Sequence, residues 1–307
     1  MPVKIGVIGV GYLGRHHARI YSEIDGSELI AVADTDSSQS GDIAKTYGCR
    51  PFSRYEDIIE ICDALSIVTP TTTHYQIAMD CIEAGKDIFI EKPITENVRE
   101  AKGVVEGAAK KNLILQVGHL ERYNPGIVAA TEMIKGPRFI ESERLSPFLG
   151  RGADVDVTLD LMIHDIDIVM SIVRSKLVNI KAIGETVITD KIDVAKAWLE
   201  FENGCTALIT ASRLASEKQR RLKVFQKDAY ISVDYQTQEV RRYFKNGPEI
   251  SFDVIKPENK EPLKEELKDF VDCVNTRKRP RVSGQEGLDA LEVAIRITDM
   301  LKGKRPD

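Results

Sequence analysis

The sequence predicts an α/β protein with two domains, an N-terminal doubly wound parallel sheet and a C-terminal α/β domain with a large, mostly antiparallel open sheet. Three observations support this prediction. A glycine-rich turn follows the first apolar run, short apolar strands then alternate with helical patterns, and several extended runs with few helix signals come later. The pattern changes near residue 120, so residues 1–120 are expected to form the first domain and residues 121–307 the second.

The composition limits the classes of function that fit this chain. Of its 307 residues 42% are hydrophobic and 30% charged, and the formal net charge is −5, whereas a nucleic-acid-binding surface is strongly basic. The five cysteines include no C-x-x-C pair, so neither a zinc knuckle nor a redox dithiol is indicated. No run of about 18 apolar residues and no leader pattern occurs. We therefore expect a cytoplasmic protein that binds neither nucleic acid nor membrane.

The first strand ends in the motif Gly9-x-Gly11-x-x-Gly14, which continues into a helical pattern. Gly9 allows a tight turn, Gly11 lets the backbone approach a pyrophosphate, and Gly14 lets the following helix pack closely. The helix N-terminus then offers unpaired N–H groups and partial positive charge to the phosphates. The motif predicts a dinucleotide-binding Rossmann domain, with Tyr12 and Leu13 in the same cradle.

A second apolar run, residues 28–33, ends at Asp34, twenty residues after Gly14. A carboxylate at this position accepts hydrogen bonds from the adenosine ribose hydroxyls and repels a 2′-phosphate. Thr35 and Asp36 follow, and neither could receive that phosphate. The expected cofactor is therefore NAD.

The alternation continues to residue 117. Helices are predicted over 42–47, 55–61, 77–84 and 98–111, and strands over 63–68, 87–90 and 113–117. Ligands of such sheets lie beyond the carboxyl ends of the strands. Gly9, Asp34, Thr69, Lys92 and Gly118 all stand at those ends, so we expect them along one edge of the sheet.

The second domain is predicted from extended runs. They cover residues 139–145, 178–187, 194–202, 205–213, 222–226, 230–233 and 240–244, with helices over 123–135 and 159–173 and two amphipathic helices at the end of the chain. Asn203-Gly204 predicts a type I′ hairpin turn between two of the strands.

Lys92 is the first candidate for chemistry. It stands between Glu91 and Pro93 at the end of an apolar strand, where its ammonium group could orient a hydroxyl and stabilise a developing alkoxide. A surface lysine beside a turn proline fits the local sequence equally well.

The second candidate is the stretch Asp160 to Asp167. On an α-helix the i, i+4 spacing places Asp160 and His164 on one face with Asp167 nearby, and a histidine beside a carboxylate can take up and return a proton near neutral pH. A core or solvated histidine with incidental acidic neighbours is the alternative. No H-E-x-x-H pattern is present, so no metal site is predicted.

These motifs, in this order, resemble the Gfo/Idh/MocA oxidoreductases, which transfer hydride between a nicotinamide cofactor and sugars, inositols or nucleotide sugars. The resemblance implies that Lys92 is the catalytic-site lysine, His164 the acid/base and Asp160 a substrate-binding neighbour, although Lys92 and His164 could exchange the role of base. It also implies homodimers or homotetramers formed through the flat face of the C-terminal sheet. The cofactor-binding residues that it adds are Thr69, Pro70, His74, Glu91 and Lys92.

Two stretches, residues 118–125 and 161–167, resemble the bacterial subgroup of this family that oxidises UDP-N-acetylglucosamine at its 3-hydroxyl, giving a 3-keto sugar for envelope glycolipid or polysaccharide synthesis. Because a UDP-sugar carries two phosphates, forked arginine donors are candidate ligands. The candidate substrate-binding residues are Arg122, Tyr123, Arg151 and Arg213, besides Asp160 and His164, and Arg144 lies on a further segment that could approach the cleft. A surface or structural role is the alternative for each of these arginines. A dehydrogenase of a free sugar or inositol, and a non-catalytic NAD-binding regulatory protein, are the alternatives.

Overall fold

The computed structural model describes residues 1–148, 150 and 154–303. The chain forms two compact units. Unit 1 comprises Met1–Leu120 and Glu261–Leu288, and unit 2 comprises Glu121–Lys260 and Asp289–Asp307.

Unit 1 contains a six-stranded parallel sheet with the strand order β3-β2-β1-β4-β5-β6. Its elements up to residue 118 are β1 (Val3–Ile8), α1 (Gly14–Glu23), β2 (Ser27–Ala33), α2 (Ser37–Tyr47), β3 (Arg50–Phe52), α3 (Glu56–Ile59), β4 (Ala64–Ile67), α4 (Thr71–Glu83), β5 (Asp87–Glu91), α5 (Val98–Lys110) and β6 (Leu115–Gly118). All residues of β4 and β5 are buried, as expected for parallel strands covered on both faces. The predicted doubly wound parallel sheet is confirmed.

Unit 2 contains an eight-stranded sheet with the order β14-β13-β12-β11-β7-β10-β9-β8, in which only β7 and β10 pair in parallel. Its strands are β7 (Phe139–Leu145), β8 (Leu177–Glu185), β9 (Val194–Phe201), β10 (Thr206–Ser212), β11 (Gln219–Gln226), β12 (Ala229–Asp234), β13 (Val240–Asn246) and β14 (Glu249–Ile255). The helical segments around them are a 3₁₀ turn (Leu120–Tyr123), α6 (Pro125–Met133), a π-helical turn (Thr158–Met162) and α7 (Ile163–Val173). The predicted mostly antiparallel sheet is confirmed.

One face of this second sheet is buried. Along β9, the alternate residues Ala195, Ala197, Leu199 and Phe201 are buried, as are Ile163, Ile166 and Val169 of α7 in the same hydrophobic core. The opposite face is open within unit 2, because the side chains between these positions are exposed or only partly buried. The period-2 pattern of the strands therefore separates a core face from an open face.

The chain ends with α8 (Pro262–Thr276) and α9 (Gly284–Gly303). The prediction that residues 121–307 form one domain is wrong for residues 261–288, which contain α8 and the start of α9 and belong to unit 1. The core of unit 1 shows this for α8. Its residues Leu267, Phe270 and Val271 share a buried core with Tyr21 and Phe89. An amphipathic pattern shows that a helix has a buried face, but it does not show which sheet that face covers.

The connection between β9 and β10 differs from the predicted turn. A type I′ turn needs positive φ at both central residues, and of Asn203 and Gly204 only Gly204 has it, with φ +84°. The amide of Gly204 bonds to the carbonyl of Phe201, and the amide of Phe201 to the carbonyl of Cys205. These bonds define a three-residue loop with glycine in its last position.

Among the described residues, no helix is both long and apolar enough to cross a membrane.

Candidate active site

The glycine turn between β1 and α1 has the geometry that a bound pyrophosphate needs. Gly9 has φ +83°, and a Cβ there would lie 2.8 Å from the carbonyl oxygen of Val68. A Cβ on Gly14 would lie 1.8 Å from the carbonyl oxygen of Gly9, so only glycine allows the helix to begin this close to the turn. Gly11 has no atom within 4 Å of the corresponding position. That open space is where a phosphate can approach the backbone.

Asp34 follows β2 and is fixed to the same turn. Its Oδ2 accepts a hydrogen bond from the Val10 amide at 2.8 Å, and its Oδ1 accepts one from the Asp36 amide at 2.9 Å. A carboxylate oxygen has two acceptor sites, so each oxygen can accept a second bond from a ribose hydroxyl. The main chain therefore holds the carboxylate in a fixed orientation toward the predicted adenosine subsite.

A cavity of about 710 Å³ lies along this edge of unit 1. Five of the predicted cofactor-binding residues line it, namely Gly9, Gly11, Asp34, Thr69 and Pro70. Its size and lining fit one half of a dinucleotide together with the pyrophosphate. The residues present therefore fit NAD.

The cavity is also lined by Ser53, Arg54 and Tyr55, which the sequence analysis did not single out. They follow β3, a three-residue strand, Arg50-Pro51-Phe52, that lacks an apolar run and was not predicted. Residues beyond the carboxyl end of a parallel strand lie at the ligand edge. A strand at 50–52 was the missing signal that would have placed these three residues in the site.

His74 lies behind the cavity wall. The ring is 1% exposed, with Nε2 2.9 Å from the carbonyl oxygen of Thr69 and Nδ1 3.0 Å from that of Pro93. Burial lowers the pKa of His74, although the two carbonyl contacts act in the opposite direction. The side chain thus connects the ends of β4 and β5 and shapes the cavity from behind.

The other predicted cofactor residues of unit 1 differ in exposure. Tyr12 is 63% exposed, and the guanidinium of Arg15 lies 4.9 Å from the centre of its ring. Leu13 is half-buried at the start of α1. Glu91 is 7% exposed and has its carboxylate directed to the interior, whereas the next residue, Lys92, is half-buried. Glu91 therefore contacts protein groups, and the predicted contact of Lys92 with the reacting hydroxyl stays a prediction.

In unit 2, Asp160 and His164 lie on different kinds of helix. Asp160 belongs to the π-helical turn and is half-buried, whereas His164 is the second residue of α7 and is 9% exposed. A π turn has i→i+5 hydrogen bonds and is frequent at functional sites. The i, i+4 spacing places two side chains on one face only in an uninterrupted α-helix, so it does not describe how Asp160 and His164 are placed.

Ion pairs hold α7 on both sides of His164. Asp167 accepts a hydrogen bond from Nη1 of Arg122 at 3.0 Å. Asp165 accepts one from Nε of Arg144 at 2.6 Å. At 100° per residue the two carboxylates lie on opposite sides of His164. The pairs therefore fix the rotation of α7 about its axis.

Arg144 does not reach solvent as a phosphate ligand. Its side chain is 2% exposed and also donates from Nη1 to Glu121 at 2.9 Å. Burial lowers its pKa, but Asp165 and Glu121 outweigh burial, so the pKa of Arg144 is above its ordinary value. These contacts agree with the structural alternative for this arginine. The spacing of residues in the sequence does not reveal that two buried carboxylates bind it.

Of the remaining predicted substrate residues, Tyr123 and Arg213 are both buried, in different parts of unit 2. Tyr123 is 4% exposed in the 3₁₀ turn. Arg213 is 3% exposed and donates from Nη2 to the carbonyl oxygen of Val155 at 2.6 Å, with Nε 3.8 Å from Asp193. Arg151 lies outside the described residues. Substrate binding by these three residues stays a prediction.

Comparison with protein families gives the chain its class. Residues 3–119 match the family model described as the oxidoreductase family with an NAD-binding Rossmann fold, and residues 137–232 match the GFO/IDH/MocA C-terminal domain. The chain belongs to the Gfo/Idh/MocA oxidoreductase family. As a Gfo/Idh/MocA member it is an NAD-binding dehydrogenase, so the predictions of the family, the enzyme class and the cofactor are confirmed.

Two relatives in the Gfo/Idh/MocA family span nearly the whole chain. The UDP-N-acetylglucosamine 3-dehydrogenase of Acidithiobacillus ferrooxidans is 34% identical over 302 residues, which cover 96% of each chain. A solved structure of that enzyme has a TM-score of 0.95 and covers 99% of this chain and 100% of its own. The scyllo-inositol 2-dehydrogenase of Bacillus subtilis is 27% identical, over 99% of this chain and 95% of its own. These similarities support a sugar oxidoreductase of the NAD-dependent type.

Proposed function

We propose that this protein oxidises the 3-hydroxyl of UDP-N-acetylglucosamine, or of a related UDP-sugar, to the ketone. The observation that carries the proposal is the 34% identity, over 96% of the chain, to an enzyme of that name. Identity to the inositol dehydrogenase is lower, at 27%. The 3-keto product would supply an envelope glycolipid or polysaccharide pathway.

In the proposed mechanism, two side chains, Lys92 and His164, act on the reacting hydroxyl. NAD, held by the glycine turn and Asp34, supplies the two-electron acceptor. The Lys92 ammonium group donates a hydrogen bond to the hydroxyl oxygen and stabilises its developing negative charge. The imidazole of His164 accepts the hydroxyl proton, and Asp160 orients the sugar or the imidazole. The sequence leaves open an exchange of the base role between Lys92 and His164.

The test is a substrate screen with the purified protein. Reduction of NAD is followed by absorbance with UDP-N-acetylglucosamine, with other UDP-sugars and with inositols and free sugars. The ketone is trapped with hydroxylamine, and the position of the oxime is identified by NMR. Turnover of UDP-N-acetylglucosamine with a 3-oxime product is expected. Turnover only of substrates without a nucleotide establishes the alternative function. Binding of NAD without reduction by any substrate indicates a regulatory protein.

Variants test the assignment of the residues. Lys92→Ala and His164→Ala are each expected to lower kcat by about 10²- to 10⁴-fold, the range typical of acid/base groups. Lys102→Ala, which removes an exposed lysine of α5, is the matched control and should keep normal turnover. Near-normal turnover of both site variants would contradict the assignment.

We also propose that the open face of the second sheet forms a homodimer or homotetramer. A row of aromatic side chains crosses this face with neighbouring ring centres 4.8–5.9 Å apart. Its members are Trp198, Phe139, Phe225, Tyr230, Tyr243 and Phe252. Ile250 and Phe252 of β14 are 81% and 63% exposed, and apolar surface of this kind favours association. Light scattering should show an oligomer for the wild type and a smaller species for Phe252→Glu. A monomeric wild type would refute this proposal.

A further inference from the structure

Buried side chains hold the main chain on both sides of Lys92. The Lys92 amide donates to Oε2 of Glu91 at 3.2 Å. The carbonyl oxygen of Pro93 lies 3.0 Å from Nδ1 of His74. Since Glu91 is 7% exposed and His74 1%, neither partner is exchanged readily for water. The path of the backbone through Lys92 is therefore fixed from inside unit 1.

The carboxylate of Glu91 is itself held by a second contact. Its Oε1 lies 3.2 Å from Nε2 of His17, and Nδ1 of that ring lies 2.9 Å from Oγ of Ser66. His17 is fully buried on α1, the helix that begins at Gly14. A carboxylate only accepts hydrogen bonds, so Nε2 of His17 is the donor. Glu91 thus connects the Lys92 amide to the helix of the glycine motif.

Gly118 closes the space around the same carboxylate. A Cβ on this residue of β6 would lie 2.8 Å from Oε2 of Glu91 and 2.9 Å from its Cδ and Oε1. Gly118 does not have a positive φ, so its backbone accepts alanine, and the three atoms nearest to the added methyl group all belong to Glu91. Gly118→Ala therefore displaces the carboxylate without removing any of its atoms.

We propose that Glu91 is the positioning residue for Lys92. One carboxylate oxygen fixes the Lys92 amide while the other is anchored to His17, so that the ammonium group is presented to the reacting hydroxyl in one geometry. The proposal rests on the proposed function, in which Lys92 contacts that hydroxyl. It assigns to Glu91 a contact with protein groups in place of the predicted contact with the cofactor.

Three variants and one control test this role by steady-state kinetics. Displacing a group by 1 Å costs about 10²-fold in rate, so Glu91→Ala and Gly118→Ala should lower kcat at least about 10-fold, with KM for the sugar and Kd for NAD within about threefold. Glu91→Gln keeps an oxygen that accepts from the Lys92 amide. Its NH₂ group can donate to Nε2 of His17, because the other tautomer of that ring has an acceptor at Nε2. The kcat of Glu91→Gln should therefore stay within about threefold of wild type. Gly41→Ala, with no atom within 4 Å, is the control and should be unchanged.

Hydrogen exchange of the Lys92 amide provides a readout that does not depend on turnover. Exchange measured by mass spectrometry should be faster in Glu91→Ala and Gly118→Ala than in wild type, and near wild type in Glu91→Gln. Unchanged exchange and unchanged kcat in the first two variants would overturn the proposal. Equal damage by Glu91→Gln and Glu91→Ala would also overturn it, because the charge would then matter more than the position.

The two proposals fail in different ways. If no tested sugar supports NAD reduction by the wild type, the proposed function fails. The hydrogen-exchange rates of the Lys92 amide alone then decide whether Glu91 holds Lys92. If Glu91→Ala does not fold, Gly118→Ala and Glu91→Gln provide the decision.

Discussion

Replacing Arg144 by methionine tests how much the ion pairs beneath α7 stabilise unit 2. The guanidinium is 2% exposed, and its partners Glu121 and Asp165 have side chains that are 5% and 1% exposed. Removing one member of a buried ionic cluster leaves uncompensated charge and costs about 3–5 kcal/mol. We expect Arg144→Met to lower the free energy of unfolding by this amount, which corresponds to roughly 10 °C in Tm for a unit of this size.

The assay is urea denaturation followed by fluorescence, because the only tryptophan of the chain is Trp198 in β9 of unit 2. Lys181→Met removes an ion pair with Glu200 in the same unit, and since Lys181 is 72% exposed, stability should be almost unchanged. The triple variant Glu121→Gln, Arg144→Met, Asp165→Asn should recover part of the loss, because neither buried carboxylate keeps its charge. Arg220, which donates to Glu121 at 3.3 Å, loses its charged partner in this variant.

A loss of stability below about 1 kcal/mol in Arg144→Met, the size typical of an exposed ion pair, would refute the reasoning.

Two further predictions concern other parts of the chain. Gly11→Val fills the open space at the glycine turn, so the affinity for NAD should fall at least about 10-fold in calorimetric titration. The Tm should stay unchanged. An unchanged affinity for NAD would contradict the assigned pyrophosphate site. At Asp193, burial opposes the charge, but hydrogen bonds from the Ile188, Val187 and Thr189 amides outweigh burial and lower the pKa to about 2. The folded pKa is thus below the unfolded value near 3.9, so the stabilisation is complete above about pH 4 and is lost as the pH falls toward 2. Asp193→Asn should lower the free energy of unfolding by about 1–3 kcal/mol at pH 7. In urea titrations, the difference between wild type and variant should become smaller only below pH 4. A difference that already becomes smaller near pH 6 would contradict the lowered pKa of Asp193.

Most of unit 1 could be predicted from the sequence, because each of its buried parallel strands except β3 consists of a short run of apolar residues. Asp34 could be placed at the glycine turn from its spacing alone, and the contact of its carboxylate with the Val10 amide agrees with that placement. The strand at 50–52 could not be predicted, because arginine and proline interrupt its pattern. The lining residues Arg54 and Tyr55 were missed with it.

The sequence did not show which distant groups bind the charged side chains. Arg144 and Arg213 were both candidate phosphate ligands, and both are buried on protein acceptors. Whether an arginine meets a carboxylate or a ligand depends on which distant segments the sheet brings together. The π turn at Asp160 was missed for a related reason, because an apolar repeat does not distinguish it from the α-helix that follows.

Helix α8 belongs to the core of the NAD-binding unit although residues 121–260 separate it from the rest of that unit in the sequence. Phe270 of α8 lies edge-on to Phe89 of β5, with ring centres 5.9 Å apart, and Glu266 accepts a hydrogen bond from Gln116 of β6 through its carbonyl oxygen. Because synthesis runs from the N-terminus, the sheet at Phe89 stays uncovered until residues 121–260 have been made. A chain cut at residue 120 keeps every glycine of the nucleotide turn and still lacks part of its core. A form of this unit with its complete core therefore needs residues 261–288 as well as residues 1–120.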